Sequence, residues 1–215
     1  MMKFYQELTL LPQEEINIYF LWSKTFQQIH LGLVEAQDVQ KRVSIGLSIP
    51  EYKMGEKFGV LGSKLRLFAP DEATLIQFDA DKRLNRLSDY VHCTSIRPVP
   101  STVKGYAVYQ REQPKTGKER LARRYAKRHN LDYETAFNHK VELCAKHDNA
   151  IECERMLMSY SEMPHKIITT PFIRLKSLSS GNTFCLWIKK RKIESSVSGT
   201  FTTYGLSSAA SVPEF

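Results

Sequence analysis

The chain has 215 residues, which is enough for one large domain or two small ones with an apolar core. Its 42% hydrophobic and 25% charged residues exclude a disordered chain, and no segment reaches the run of about 18 apolar residues that crosses a bilayer. The net charge is +8, and the place of the excess positive charge along the chain indicates the kind of partner.

The N-terminal residues, from Met1 to Glu7, alternate as in a strand. They lack the apolar segment and the small-residue cleavage site of a signal peptide, so we expect a cytoplasmic protein without a membrane partner. We also expect no metal and no cofactor. Four side chains with ligand chemistry crowd one stretch, but their intervals fit no common ligand pattern, and reduced thiols are expected. These are His139, Cys144, His147 and Cys153.

The first hundred residues are predicted to run strand, helix, strand, strand, helix, strand. Hydrophobic periodicity and turn residues give the bounds. The predicted strands are residues 3–11, 43–49, 64–69 and 93–99, and the predicted helices are residues 14–36 and 71–90. This βαββαβ order predicts an α+β, ferredoxin-like (RNA-recognition-like) domain, in which two helices cover one face of four antiparallel strands. The other face is expected to be free for a ligand. The usual aromatic RNA-binding strand motif is not evident, so the fold alone does not establish RNA binding.

A boundary is predicted at Pro98 and Pro100, which divides the chain into domains 1–100 and 101–215. The smaller C-terminal domain is predicted to hold a basic helix over residues 118–129 and a helical stretch from residue 132 into the 140s. An irregular insertion down to Pro171 follows. A β-hairpin with strands 172–177 and 183–190 comes next, and residues 200–206 supply one more strand.

The basic helix carries most of the surplus charge. Between Lys104 and Asn130 there are nine Lys or Arg against two acids, a net +7. At about 100° per residue, five cations fall within an arc of about 140°, and small or apolar residues take the opposite arc. The cations are Arg120, Arg123, Arg124, Lys127 and Arg128. Such a face can simply be solvated, but the near absence of acids favours a polyanion, with the backbone or groove of an RNA duplex as the natural partner.

Two further features have possible RNA chemistry. Arg111 and Gln113 stand just before the basic helix, and these side chains can pair with guanine and adenine edges. His30 lies on the inner side of the first predicted helix. A lone histidine there is more often a core residue, but near RNA it can take the proton of a 2′-hydroxyl, which then attacks the adjacent phosphate.

Four segments together resemble the CRISPR RNA-processing endoribonucleases of type I-F systems. Phe26-Gln-Gln-Ile-His30 is similar to the family's active-site helix, and Arg111-Glu-Gln-Pro-Lys-Thr-Gly-Lys-Glu-Arg-Leu121 to its recognition arm and arginine-rich helix. Ile173-Arg-Leu-Lys-Ser177 with the residues to Phe184 resembles its serine-bearing hairpin. Phe201-Thr-Thr-Tyr204-Gly-Leu-Ser resembles its near-C-terminal signature.

The resemblance implies a metal-independent endoribonuclease that cleaves a CRISPR repeat hairpin, leaves a 2′,3′-cyclic phosphate and keeps its product. His30 would be the general base, Ser177 would position the 2′-hydroxyl, and Tyr204 would orient the histidine or the substrate. Phe184 would stack on the terminal base pair. Other subunits of the type I-F surveillance complex are expected as partners. The expected RNA-binding residues are Arg111, Gln113, Lys118, Arg120, Arg123, Arg124, Lys127, Arg128, His129, Lys176, Ser179 and Phe184.

The chain departs from the family's pattern at three places. Lys176 replaces the usual arginine before the hairpin serine, the stretch 139–164 is long and has no assigned role, and Glu214 stands where an aromatic is typical. Ser177 can also be an ordinary turn residue, and Tyr204 a core phenol. The alternative function is a non-catalytic RNA-hairpin-binding subunit of a ribonucleoprotein, and a DNA-binding transcription factor is a third possibility.

Overall fold

The computed structural model describes residues 1–113, 117–145, 154–163, 168–177 and 180–215. The described strands are β1 (Phe4–Leu10), β2 (Arg42–Val43), β3 (Gly46–Ser48), β4 (Lys53–Met54), β5 (Gly59–Val60), β6 (Lys64–Ala69), β7 (Val91–Cys93), β8 (Arg97–Pro98), β9 (Gly105–Glu112), β10 (Lys140–Ala145), β11 (Glu154–Ser159), β12 (Phe172–Lys176), β13 (Thr183–Ile193), β14 (Phe201–Thr202) and β15 (Val212–Glu214). The helices are α1 (Ile18–Glu35), α2 (Glu72–Phe78), α3 (Ala80–Arg83), α4 (Lys118–His129) and α5 (Tyr133–Asn138). The chain forms two compact units, the first of residues 1–113 and 169–215 and the second within residues 114–168.

The first sheet of the first unit has the strand order β3, β6, β1, β7, with antiparallel neighbours throughout, and β8 also pairs with β1. Leu8 and Leu10 alternate along β1 toward one buried face. α1 begins where the Asn17 side chain accepts the Phe20 N–H, and its buried residues recur at helical spacing. Burial of each large apolar side chain in this core stabilises the fold by about 1.5–3 kcal/mol.

The second face of this sheet is not free, contrary to our expectation. Phe215 packs there against Tyr5, with ring centroids 5.0 Å apart, and against Phe68 at 6.1 Å. The Arg66 guanidinium lies 4.2 Å from the Phe215 ring and also donates a hydrogen bond to Glu7 over 2.7 Å. Side chains of the chain itself therefore occupy the face that the fold pattern left open for a ligand.

A second sheet in the first unit has the order β12, β13, β9, β15. Its inner face buries Ile173, Leu175, Leu186 and Ile188, which belong to the same core cluster as the buried residues of α1. The Ser23 hydroxyl of α1 donates to the Arg174 carbonyl over 2.6 Å. This contact ties the helix that bears His30 to the first strand of the hairpin.

The second unit contains α4, α5 and the antiparallel pair β10 and β11. Ala122, Ala126 and Ala136 are buried where the two helices pack. Their small side chains allow α4 and α5 to approach closely. The Ser161 N–H, after β11, donates a hydrogen bond to the Phe137 carbonyl of α5 over 3.0 Å. The helix predicted at residues 118–129 is confirmed with those bounds.

Several predicted elements of the first unit are shorter or broken. α1 begins at Ile18 rather than residue 14 because Asn17 is the cap. The helix predicted at 71–90 breaks at Asp79, whose φ of 49° ends α2 and whose side chain caps α3. The strand predicted at 93–99 is interrupted because the Thr94 hydroxyl accepts the Glu7 N–H in place of a backbone carbonyl.

Three other expectations on strands are corrected. The strand predicted at 43–49 is split into β2 and β3, which pair with different strands, β14 and β6. The strand predicted at 200–206 is limited to β14 because the chain turns at Gly205. The helix predicted from residue 132 into the 140s ends at Asn138 and is followed by β10, and the insertion predicted to be irregular contains β11. β9 and β15 were not predicted at all.

The compact units differ from the predicted domains. The hairpin strands β12 and β13 and the strand β9 belong to the first unit with the N-terminal sheet, because they pair with each other and share its core. The prediction had assigned residues 101–215 to one domain. Independent folding of residues 1–100 and 101–215 stays a prediction.

Candidate active site and basic helix

His30 is held near the end of α1 by a backbone carbonyl. Its neighbours Ile29 and Phe26 are buried, while His30 itself is half-buried. The Nδ1 atom lies 2.7 Å from the Thr203 carbonyl oxygen. Because a carbonyl only accepts, Nδ1 carries the proton of the neutral ring, and Nε2 is left with a lone pair. In this tautomer Nε2 is the ring atom that can accept a proton.

The Thr203 carbonyl is fixed by a tight turn. The Gly205 N–H donates to the Thr202 carbonyl over 2.7 Å, and the Thr202 N–H donates to the Leu206 carbonyl over 2.8 Å. Gly205 has a φ of 67°, in the left-handed region that favours glycine, and an added Cβ would lie 2.3 Å from Leu47. Glycine is thus required here on two grounds, and the turn it permits aims a carbonyl at His30.

Tyr204 stacks on the histidine. Its ring centroid lies 4.1 Å from that of His30, and the two planes differ by 8°. The hydrogen bond to Thr203 fixes one edge of the imidazole, and the tyrosine ring covers one face. Together they hold the ring in a single orientation, which a proton-transfer group needs. Tyr204 is half-buried and also packs against the apolar core, as the alternative of a core phenol requires.

Arg111 joins the same cluster from β9. Its guanidinium lies 5.7 Å from the Tyr204 ring and 5.8 Å from the Phe184 ring. Both distances are within the range of cation–π attraction. The predicted base-reading arginine is therefore in the neighbourhood of His30, and it brings a permanent positive charge there.

The hairpin register puts Ser177 on the same face as Phe184. Leu175 pairs with Phe184, and the Ser177 N–H donates to the Asn182 carbonyl over 2.8 Å, so the ladder continues by one residue. Alternate residues share a face, which makes Ser177 and Phe184 diagonal neighbours about 7–8 Å apart. The Ser177 hydroxyl oxygen also accepts the Ser180 N–H over 3.3 Å. Phe184, Arg111, Tyr204 and His30 thus form a connected series, and Ser177 shares the face of Phe184.

The structure leaves three expected RNA-binding residues outside this series. Lys176 is exposed on the opposite face of the hairpin from Ser177, because neighbouring residues of a strand alternate. Gln113 is exposed just after β9. Ser179 lies outside the described residues.

The basic helix, α4, shows the predicted division of its faces. Ala122 and Ala126 are buried, and Leu121 and Tyr125 are half-buried. The helix ends at Asn130, whose φ of 53° is left-handed. Four cations are exposed without an ion pair to any described residue, and they remain the best candidates for phosphate contacts. They are Arg120, Arg124, Lys127 and Arg128.

Three other predicted residues of α4 have partners inside the second unit. The Lys118 amine donates to the Ser161 carbonyl over 2.9 Å. The Arg123 guanidinium lies 5.7 Å from the Tyr133 ring. The His129 ring lies 4.2 Å from that of Tyr125. Their contribution to RNA binding stays a prediction.

The Cys93 thiol and the other potential metal ligands among the described residues do not suggest a second reactive site. Burial, and then the neighbouring Asp81 carboxylate, raise the pKa of the Cys93 thiol to about 12, so this cysteine is not a thiolate nucleophile. The described residues contain no group of three or more histidine, cysteine or acidic side chains placed to hold a metal ion. His147 and Cys153 lie outside the described ranges. Within those ranges, no helix combines the length and apolar character of a membrane span.

Sequence reasoning missed Thr203 and Ser23. Thr203 acts through its carbonyl, which every residue type has, so side-chain identity gave no signal. Ser23 lies two helical turns before His30 on α1, and its hydroxyl bond to β12 depends on tertiary packing. Gly205 is the residue from which the turn could have been predicted, but a strand was predicted over residues 200–206 instead.

Comparison with known proteins gives a consistent family. Residues 5–215 match the family described as CRISPR-associated protein (Cas_Csy4). A CRISPR-associated endonuclease Cas6/Csy4 from Escherichia coli (strain UTI89 / UPEC) is 30% identical over 215 residues, 100% of both chains. Its namesake from Pseudomonas aeruginosa (strain UCBPP-PA14) is 29% identical over the same extent. A solved structure described as an RAMP protein binding different RNA substrates covers 99% of this chain and 100% of its own, at 11% identity and a TM-score of 0.32, which is too low to support a conclusion.

Proposed function

The chain belongs to the Csy4 family of CRISPR-associated proteins, and on that premise we propose that it is an endoribonuclease that cleaves the stem-loop of CRISPR repeat RNA to make guide RNA. The observation that carries the proposal is the fixed imidazole of His30, with Nδ1 bonded to the Thr203 carbonyl and one face against Tyr204. The names of the two relatives support an endonuclease.

The reaction uses the nucleophile that RNA itself contains. His30 Nε2 takes the proton of the 2′-hydroxyl at the scissile nucleotide, and the resulting oxygen attacks the adjacent phosphorus. The bond to the 5′-oxygen breaks, and that oxygen takes a proton from water to become a 5′-hydroxyl, while the imidazolium of His30 gives its proton back to water. The products are a 2′,3′-cyclic phosphate and a 5′-hydroxyl end. No metal is needed to generate a nucleophile, because the hydroxyl is already held next to its target.

Ser177 is proposed to position the 2′-hydroxyl. The Ser23–Arg174 bond aligns α1 with β12, and His30 lies about 10 Å further along the helix from that bond. Ser177 lies about 10 Å further along the strand from the same bond. A site shared by the two residues is supported by Phe184, which shares a face with Ser177, and by the contacts that lead from Phe184 through Arg111 and Tyr204 to His30.

Recognition is proposed to use two surfaces. Arg111 and Gln113 read base edges in the stem, and Phe184 stacks on the terminal base pair. The position of Phe184 beside Arg111 supports this pairing of roles. Arg124, Arg128 and their neighbours on α4 contact phosphates or enter the groove of the stem. Retention of the product, a type I-F surveillance complex as partner and a cytoplasmic location belong to the same proposal.

The fold of the first sheet is proposed to be ferredoxin-like. Its strand order β3, β6, β1, β7 places the first and third strands of the βαββαβ unit, β1 and β6, in the middle of the sheet. A helix follows each of these two strands along the chain. The division of the chain into domains 1–100 and 101–215 belongs to the same proposal.

The test is incubation of the purified chain with its cognate CRISPR repeat RNA, in EDTA. We expect one cut, with a 2′,3′-cyclic phosphate on the upstream product and the hairpin kept bound. Tight binding without a cut would instead establish the alternative, a non-catalytic hairpin-binding subunit. Equal affinity for a DNA hairpin of the same sequence would favour a DNA-binding protein.

A further inference from the structure

Alternate residues of β12 and β13 form a second face of the hairpin, directed away from the core. Residues on the inner face, such as Leu175 and Ile188, are buried. Residues between them lie on the other side, because side chains alternate along a strand. We call this side the outer face. It consists of Phe172, Arg174, Lys176, Thr183, Cys185, Trp187, Lys189 and Arg191.

The outer face is strongly cationic. Its four cations, Arg174, Lys176, Lys189 and Arg191, are all exposed, and none forms an ion pair with another described residue. Among the described residues of β9, β12 and β13, the acid on this side is Glu112, which pairs with Trp187. A face that is merely solvated normally mixes both signs. Four cations against one acid therefore favour an anionic ligand.

Aromatic rings lie between the two pairs of cations. Phe172 and Trp187 are direct cross-strand partners with ring centroids 4.6 Å apart, and Phe172 is 38% exposed. Arg174 and Lys176 extend from this pair toward the hairpin turn, and Lys189 and Arg191 extend the other way. An aromatic pair by itself is a common cross-strand contact. Cations on both sides of it make a platform of the kind that binds single-stranded nucleic acid, through phosphates and stacked bases.

We propose that the outer face binds a single-stranded RNA segment that flanks the repeat hairpin. The inference rests on the proposed function, since it takes the RNA of that reaction as the ligand. Bases within an A-form stem are already stacked, so the exposed Phe172 ring and the half-buried Trp187 ring beside it suit an unpaired strand. The face runs for about 27 Å from Thr183 to Arg191. It begins at Lys176, which is the chain neighbour of Ser177, so one strand can pass from the cleavage site around the turn and onto this face.

The test compares four RNAs by fluorescence anisotropy at several salt concentrations. They are the bare repeat hairpin, the hairpin with about 12 uridines added at its 5′ or its 3′ end, and the free oligouridylate, a length within the usual range of single-strand sites. The variant is Arg174→Gln with Lys189→Gln and Arg191→Gln. A control with the same loss of charge is Lys41→Gln with Lys82→Gln and Arg86→Gln, three exposed cations elsewhere in the first unit.

We expect one of the two extensions to tighten hairpin binding by the wild-type chain by about tenfold, because each stacked base contributes about 1–3 kcal/mol. The salt dependence should steepen by about two units of slope, since each neutralised phosphate contributes about 0.7 for a single strand. The variant should lose both effects and keep its affinity for the bare hairpin. The control should behave as the wild type does. The end that gives the effect identifies the flank.

Two results would overturn the inference. One is that neither extension changes affinity or slope, in which case the face serves another partner such as an acidic protein. The other is that the variant gains as much from the extension as the wild type. Failure of the proposed function is a separate result, in which the bare hairpin is not bound. In that event, the free oligouridylate still tests the inference. Loss of its binding in the variant supports the outer face as a single-strand site, and equal binding by the variant and the wild type overturns the inference.

Discussion

His30→Ala is expected to slow cleavage of the repeat hairpin by about 10²–10⁴-fold, the contribution of a positioned general base. The imidazole is oriented by the Thr203 carbonyl oxygen, 2.7 Å from Nδ1, and by the Tyr204 ring, whose centroid lies 4.1 Å from its own. Nε2 is then available to the substrate. Alanine removes this base and leaves the cationic surfaces in place. Hairpin affinity should therefore stay close to that of the wild type. Single-turnover cleavage and anisotropy measure the two quantities separately.

A matched control is His92→Ala, which removes an exposed histidine from β7 and should leave cleavage unchanged. Thermal melting of both variants checks that the fold is intact. If His30→Ala cleaves at the wild-type rate while folded, another group acts as the base. If it loses binding and cleavage together, His30 serves the substrate complex rather than the proton transfer.

Replacing Arg124 and Arg128 together with glutamine is expected to weaken hairpin binding by about tenfold or more for each arginine, since a hydrogen bond to a charged group contributes about 1.5–3 kcal/mol. Both side chains are exposed on α4 without an ion pair to a described residue. Two lost phosphate contacts should also reduce the salt dependence of binding by about two units of slope. Titrations at several salt concentrations give the slope directly.

The control for this pair is Lys82→Gln with Arg86→Gln, which removes the same charge from an exposed surface of the first unit. It should change the slope far less, because screening weakens charges that lie beyond about 10 Å from the RNA. An unchanged slope in the α4 variant would mean that its charged face does not contact the RNA.

The sequence predicted the residues of the candidate site better than their surroundings. His30, Tyr204, Arg111 and Phe184 were named from their side chains and segments, and the structure connects them through ring and cation contacts. The Thr203 carbonyl was not predicted, because a backbone acceptor has no residue-type signal. The position of Lys176 opposite Ser177 follows from strand alternation, and it was overlooked because both were assigned by resemblance.

Elements with a strong local pattern were predicted well. α4 has the predicted bounds, and α1 differs only where its cap lies. Pairing between distant segments was predicted poorly. β9 pairs with both β13 and β15, and Phe215 covers a sheet face formed near the N-terminus. Such pairing depends on tertiary context, to which the local patterns of the sequence are insensitive.

The most direct test of the cleavage mechanism is a repeat hairpin with a single 2′-deoxy substitution at the scissile nucleotide, offered to the wild-type chain in EDTA. The substitution removes the nucleophile and leaves the charge and shape of the RNA in place. We predict that the unmodified RNA is cut and that the deoxy RNA is bound with similar affinity and stays intact. Cleavage of the deoxy RNA at the same phosphate would contradict attack by the 2′-hydroxyl and, with it, the role assigned to His30.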